Sequence, residues 1–232
     1  YLSGLTDPLE KNINYTLDQI KININTILTN AVKKRLISDR PIGFFLSGGL
    51  DSSLIVAIAT KLLGPENITC FTIGCENSPD VIAAEKVTDF LKIKKHYIIE
   101  FDTEEGLEEL ENVIYSIESY DTTTIRASTP QYILCKNIKE MTDIKVLLSG
   151  EGSDELHGSY RYFRDAPDKE EFETESNRLL DELYMFDNLR TDRTAASHGL
   201  EVRVPFLDFE YVNFIKSLDY SLLMNNKKVI EK

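Results

Sequence analysis

Residues 41–60 constrain this chain more than any other stretch. Ile42, Gly43, Phe44, Phe45 and Leu46 form a short, uncharged, β-rich run, the pattern of a buried strand. Ser47-Gly48-Gly49-Leu50-Asp51-Ser52-Ser53 supplies a turn, and from Leu54 to Thr60 apolar residues recur at helical spacing. Strand, glycine turn and helix in that order gather free backbone N–H groups and the positive end of a helix dipole at one point. Such a point binds anions, usually phosphate.

The 232 residues suffice for one domain with a full core. No apolar run approaches the roughly 20 residues that span a bilayer, and the first residues lack the basic-then-apolar pattern of a signal peptide. No membrane partner is therefore expected. Cys70, Cys75 and Cys135 have no Cys-x-x-Cys spacing and read as reduced, mostly buried thiols of a cytoplasmic protein. A net charge of −13 argues against a nucleic-acid surface, which needs Lys and Arg clusters. A small anionic ligand needs only a local positive field.

Along the chain, residues 16–36 carry apolar positions every three or four and predict an amphipathic helix. Residues 68–73 and 96–99 predict further strands, with a helix between them that Ser78-Pro79-Asp80 opens. This rhythm implies a parallel sheet with right-handed crossovers and ligands at the strands' carboxyl ends. Residues 103–117 predict one acidic, solvated helix; residues 120–129 read as a turn, with Pro130 starting the next helix. Residues 144–148 are the fourth strand, followed at once by a second glycine turn, Ser149-Gly150-Glu151-Gly152-Ser153-Asp154-Glu155. Residues 169–232 predict helices with an apolar break at residues 203–208.

The first turn lacks the Gly-Lys-Ser/Thr of a Walker A loop and the Gly-x-Gly-x-x-Gly of a dinucleotide fold. Its Asp51 suits a phosphate site only with a cation between, which makes it a Mg²⁺ ligand; alone it would be an ordinary helix-initiating acid. Glu151 can take a proton from an incoming ammonium or simply cap a helix, and Arg126 can meet an anionic group or sit in a structural ion pair. Glu201 and Arg203 read as a structural pair. His96, His157 and His198 have no metal-ligand spacing.

The first turn resembles the pyrophosphate loop of the ATP-pyrophosphatase superfamily. Residues 123–130 (Thr-Thr-Ile-Arg-Ala-Ser-Thr-Pro), 148–155 and 199–208 extend the match, and the chain is identified as resembling the carboxy-terminal synthetase domain of glutamine-dependent asparagine synthetases. The resemblance implies an α/β fold, a doubly wound parallel sheet of the adenine-nucleotide α-hydrolase type with additional helices. It implies a single ATP-binding domain over residues 1–232, with 1–40 a leading helical segment and 169–232 a mostly helical extension. The expected reaction is that of an amide-forming ligase: ATP activates aspartate as β-aspartyl-AMP, pyrophosphate leaves, and ammonia attacks the acyl carbon.

By position, Ser47, Gly48, Gly49, Asp51 and Ser52 would hold pyrophosphate, and Leu46 and Ile73 the adenosine. Ser149 and Gly150 would approach the α-phosphate and ribose, and Asp154 would join Asp51 on Mg²⁺. Glu151, Thr123, Arg126 and Asp187 match positions implicated at the acyl-adenylate. The resemblance places a glutaminase domain before this chain and a catalytic Lys in a basic segment beyond residue 232, and allows a homodimer. The sequence departs from the family at His157 and Ser159, where an aromatic residue and a second Gly are usual. Rival readings are a β-lactam-forming synthetase and a nucleotide-binding protein that has lost catalysis.

Overall fold

The computed structural model describes residues 15–75 and 77–224; residues 1–14 of the expected leading segment and 225–232 of the expected helical extension lie outside them. Helix α1 (Leu17–Arg35) starts at a capping box in which Thr16 Oγ1 accepts from Gln19 N and Gln19 Oε1 accepts from Thr16 N. Its apolar stripe, Ile20, Ile24, Leu28, Ala31 and Val32, is buried. Strand β1 (Ile42–Phe45), helix α2 (Leu50–Leu63), strand β2 (Thr69–Gly74), helix α3 (Pro79–Leu91) and strand β3 (Lys95–Glu100) follow in the expected alternation. Ser78 caps α3, with Pro79 at its first position.

The structure departs from two expectations in the stretch after β3. The acidic stretch is two helices, α4 (Thr103–Glu108) and α5 (Leu110–Ile117), joined at Glu109, whose carboxylate is 2.6 Å from Lys136 Nζ. The run expected to be a turn at residues 120–129 is helical: α6 spans Thr122–Met141 and carries Pro130 inside it. Asp121 is the true cap, accepting from Thr124 N at 2.7 Å and from the Thr124 hydroxyl at 2.8 Å. Pro130 has no N–H for the Arg126 carbonyl one turn earlier, but tertiary packing of α6 outweighs that loss.

Strand β4 (Val146–Leu148) leads to the short α7 (Ser153–His157), then α8 (Lys169–Glu182) and α9 (Asp187–Ala196). Glu201–Arg203, expected to lie in or beside a break, forms a fifth strand, β5, paired with β4. Helix α10 (Phe209–Ser217) follows.

All pairings are parallel and the order is β3-β2-β1-β4-β5. Alternation along the strands sends side chains to two cores. Phe44, Leu46, Cys70 and Leu148 pack with α1, α2 and Ala84 of α3, while Phe71, Ile99 and Leu147 pack with Ile133, Leu134, Cys135 and Ile138 of α6. The sheet is therefore doubly wound. Chain order runs outward from β1 through β2 on one side and from β4 to β5 on the other. The switch point lies between β1 and β4, where ligands of such sheets bind. Both Ser-Gly turns leave the sheet there.

Candidate active site

Beyond β1 the backbone keeps one more ladder bond, from Leu46 N to Phe71 O at 2.9 Å, and then turns. Gly48 takes φ +73°, and a Cβ there would lie 2.5 Å from both Ala83 Cβ and Ala84 N of α3. Only glycine lets the turn approach α3 so closely. Gly49 caps α2 with no side-chain cap bond, so the first-turn N–H groups of α2 remain available to a ligand. Ser47 Oγ and Ser52 Oγ are 3.0 Å apart and Ser47 N donates to Ser52 Oγ at 3.2 Å, which ties the turn together.

The second turn presses on the first. A Cβ on Gly150 would be 2.8 Å from Ser52 N and 3.0 Å from the Asp51 carbonyl carbon. Gly152, at φ +85°, starts α7 and sends Ser153 back toward α2, where its hydroxyl donates to Asp51 Oδ1 at 2.7 Å. His157, one of the two departures from the family pattern, secures that residue. Its Nδ1–H donates to the Ser153 carbonyl at 2.7 Å, and its Nε2 accepts from Tyr211 Oη at 3.1 Å. Ser159, the other departure, donates to Asp154 Oδ1.

The two turns form one wall of a cleft of about 570 Å³. Leu46, Ser47, Gly49, Asp51, Ser52, Ile73, Ser149, Gly150, Glu151 and Asp154, all expected site residues, line it. Gly48 lies behind this wall against α3. Phe45, Phe71, Phe101, Pro130 and Leu134 give the β2 side an apolar lining suited to a base or ribose. Asp187 reaches the cleft through Arg190, a lining residue that sequence reasoning passed over. Arg190 Nη2 is 2.7 Å from Glu151 Oε1 and 3.0 Å from Asp187 Oδ1. Thr123 and Arg126 are exposed on the first turns of α6 and outside the lining, which α6 enters at Ala127, Pro130, Gln131 and Leu134.

Burial pushes the Glu151 carboxyl above its usual value, and the Arg190 charge opposes that shift. Glu155, also missed, lines the cleft and is pushed up to about 7 by burial. Its Oε1 accepts from the Tyr160 hydroxyl, while Oε2 is buried without a hydrogen-bond partner. Its signal was the repeated acid at the end of the Gly-Ser-Asp-Glu run; Arg190 had only its place three residues after Asp187 on one helix face.

The described residues contain no cluster of three or more His, Cys, Asp or Glu that would cage a metal. Asp51 and Asp154, one on each turn, fit a hard cation that takes one or two carboxylates and completes its shell with phosphate and water oxygens. The pair fits Mg²⁺ delivered with a nucleotide.

The family model described as asparagine synthase matches residues 23–182 and 165–232. A probable glutamine-hydrolysing asparagine synthetase of Acanthamoeba polyphaga mimivirus is 62% identical over 229 residues, 99% of this chain and 41% of its own length. The glutamine-hydrolysing asparagine synthetase of Gallus gallus is 50% identical over 222 residues, 94% of this chain and 39% of its own. The chain thus spans about two fifths of the length of these curated relatives. A glutamine-dependent NAD⁺ synthetase from Acinetobacter baumannii, solved with ADP, aligns over 64% of this chain and 28% of that one, at 20% identity and a TM-score of 0.42, too distant to bear on the site. With the family model matched from residue 23 to residue 232 along a chain whose two Ser-Gly turns meet at the sheet's switch point, the protein belongs to the asparagine synthase family.

Proposed function

We propose that this chain forms the ATP-using synthetase site of an asparagine synthetase, activating aspartate as β-aspartyl-AMP with release of pyrophosphate and passing the acyl group to ammonia. The observation that carries the reading is the hydrogen bond of Ser153 to Asp51. It joins two anion-binding turns above one cleft and sets an acid from each turn on its wall.

The residues divide the work. Backbone N–H groups at the start of α2 and around Gly48 and Gly49 receive the β- and γ-phosphates and stabilise the charge that grows on them. Leu46 and Ile73 border the base. A side-chain carboxylate oxygen of aspartate forms the bond to the α-phosphorus as the bridge to the β-phosphate breaks and pyrophosphate leaves. Asp51 and Asp154 would hold a Mg²⁺, which would supply neutralising charge to the leaving group. Ammonia then bonds to the acyl carbon, AMP departs, and Glu151 takes the proton from nitrogen. The Arg190 charge favours the carboxylate form that this needs, against the burial that raises the Glu151 carboxyl. In the longer relatives named as glutamine-hydrolysing, ammonia comes from glutamine; the same supply is proposed for the protein to which this chain belongs.

Titration of the chain with Mg·ATP tests the reading, and Asp51→Asn is expected to abolish binding; unchanged affinity would return Asp51 to a helix-initiating acid. Pyrophosphate release that requires both aspartate and ammonia tests the proposed reaction itself. Mass spectrometry of the reaction with ATP and aspartate should trap β-aspartyl-AMP. Nucleotide binding with no acyl-adenylate would instead favour a protein that has lost catalysis.

A further inference from the structure

A polar chain that the proposed chemistry does not use ends at the base side of the cleft. Thr72, on β2, is almost wholly buried, at 2% exposure, where an aliphatic residue would pack more simply. Its hydroxyl donates to the Leu46 carbonyl at 2.6 Å. His96, on the neighbouring strand β3, places Nε2 2.7 Å from the same hydroxyl.

The directions follow from donor count. A hydroxyl has one proton, and that of Thr72 goes to the Leu46 carbonyl, which can only accept. His96 Nε2 therefore carries a proton and donates to Thr72. Nδ1 faces Thr88 Oγ1 at 3.4 Å, and Thr88 is held in turn by the Glu85 carbonyl at 3.0 Å. The order is His96 to Thr72 to Leu46. Thr72 and Leu46 both line the cleft.

A carbonyl oxygen has two lone pairs. At Leu46 one accepts from Thr72, which sets the direction in which the other is offered. A base carrying an exocyclic amine can donate to it, whereas a base with a carbonyl at that place would set oxygen against oxygen. We propose that His96 is a positioning residue for the nucleotide base. Through Thr72 it fixes the Leu46 carbonyl, and that carbonyl selects an aminopurine over an oxopurine. The inference rests on the reading that the cleft binds ATP.

The test is equilibrium titration of the chain with Mg·ATP and with Mg·ITP, whose base has a carbonyl in place of the adenine amine. The wild-type chain is expected to prefer ATP by about tenfold or more, the worth of one good hydrogen bond and its avoided repulsion. Thr72→Val keeps the side chain's size and removes both bonds; ATP affinity should fall toward that of ITP while ITP binding stays unchanged. His96→Ala should reduce the preference in the same direction, and His96→Gln, whose amide can donate to Thr72, should restore most of it.

A purely structural polar pair would give a different result: lower melting temperatures in Thr72→Val and His96→Ala with the wild-type ATP-to-ITP ratio retained. That outcome overturns the inference and leaves the functional reading standing, as does a wild-type chain that binds both nucleotides equally. A wild-type chain that binds neither nucleotide overturns the functional reading and the inference with it.

Discussion

Ser153 Oγ lies 2.7 Å from Asp51 Oδ1, and this bond joins two turns that are 102 residues apart in sequence. It orients a carboxylate at the start of α2 from the start of α7. Three residues support it in series, because Ser153 is held by His157 and His157 by Tyr211 of α10. The site is thus braced from the helical extension as well as from the sheet.

Ser153→Ala should weaken Mg·ATP binding by about tenfold, since hydrogen bonds to charged groups contribute about 1.5 kcal/mol or more. Calorimetric titration of the variant checks this. Wild-type affinity would mean that the bond does not set the direction of Asp51 toward the cation.

The two glycines of the first turn should respond differently to alanine. At Gly48 the backbone is left-handed and the new Cβ meets Ala83 and Ala84 at 2.5 Å, so Gly48→Ala should cost about 3 kcal/mol of stability. Gly49 has φ −67° and its nearest contact would be Ser47 Oγ at 3.3 Å, so Gly49→Ala should cost less than about 1 kcal/mol. Paired urea unfolding curves decide it. Equal losses would remove the close approach to α3 as the reason for glycine at residue 48.

These turns were legible in the sequence because their determinants are local: a glycine, a serine and an apolar run within a few residues. Legibility ended where partners lie far apart. Arg190 looks like any helical arginine until α9 brings it to Glu151, 39 residues earlier in sequence. β5 has three residues, two of them charged, and no β signature. It is a strand because Glu201, Val202 and Arg203 pair with β4 and because the Arg203 guanidinium donates to the Arg35 and Ile37 carbonyls at the end of α1. The start of α6 was misplaced for a different reason. Pro130 is a strong local signal of a helix start, and it hid the weaker Asp121 cap nine residues earlier.

Arg190→Ala removes the shared partner of Glu151 and Asp187, which are both partly buried. Leaving two carboxylates close together without their cation should cost about 2 kcal/mol and slow transfer of the acyl group to ammonia. Adding Glu151→Gln should recover part of the stability, giving a coupling energy of about 1 kcal/mol or more in a double-mutant cycle. It should recover no activity, because the proton acceptor is then gone. Strictly additive stability losses would show that Arg190 and Glu151 do not act as a pair.

Asp208 contributes to stability toward acid. It is buried and joins α1 to α10: Arg35 Nη1 is 2.7 Å from Oδ2, Lys34 Nζ is 3.4 Å from Oδ1, and Oδ1 also caps α10 through Glu210 N at 3.1 Å. Burial alone would raise its carboxyl, but the hydrogen bond and charge of Arg35, with Lys34, outweigh burial and hold it below the usual range. A depressed value means that the unfolded chain binds the proton more readily. The contribution of Asp208 is therefore complete above the unfolded value of about 3.9 and is lost as pH falls through the lower folded value. Asp208→Asn keeps an oxygen to cap α10 and removes the charge, so at neutral pH it should cost about 2 kcal/mol. Melting temperatures of both proteins between neutral and acid pH should converge once wild-type Asp208 is protonated. A gap that stays constant into acid would show that Asp208 acts through packing and capping, with no contribution from its charge.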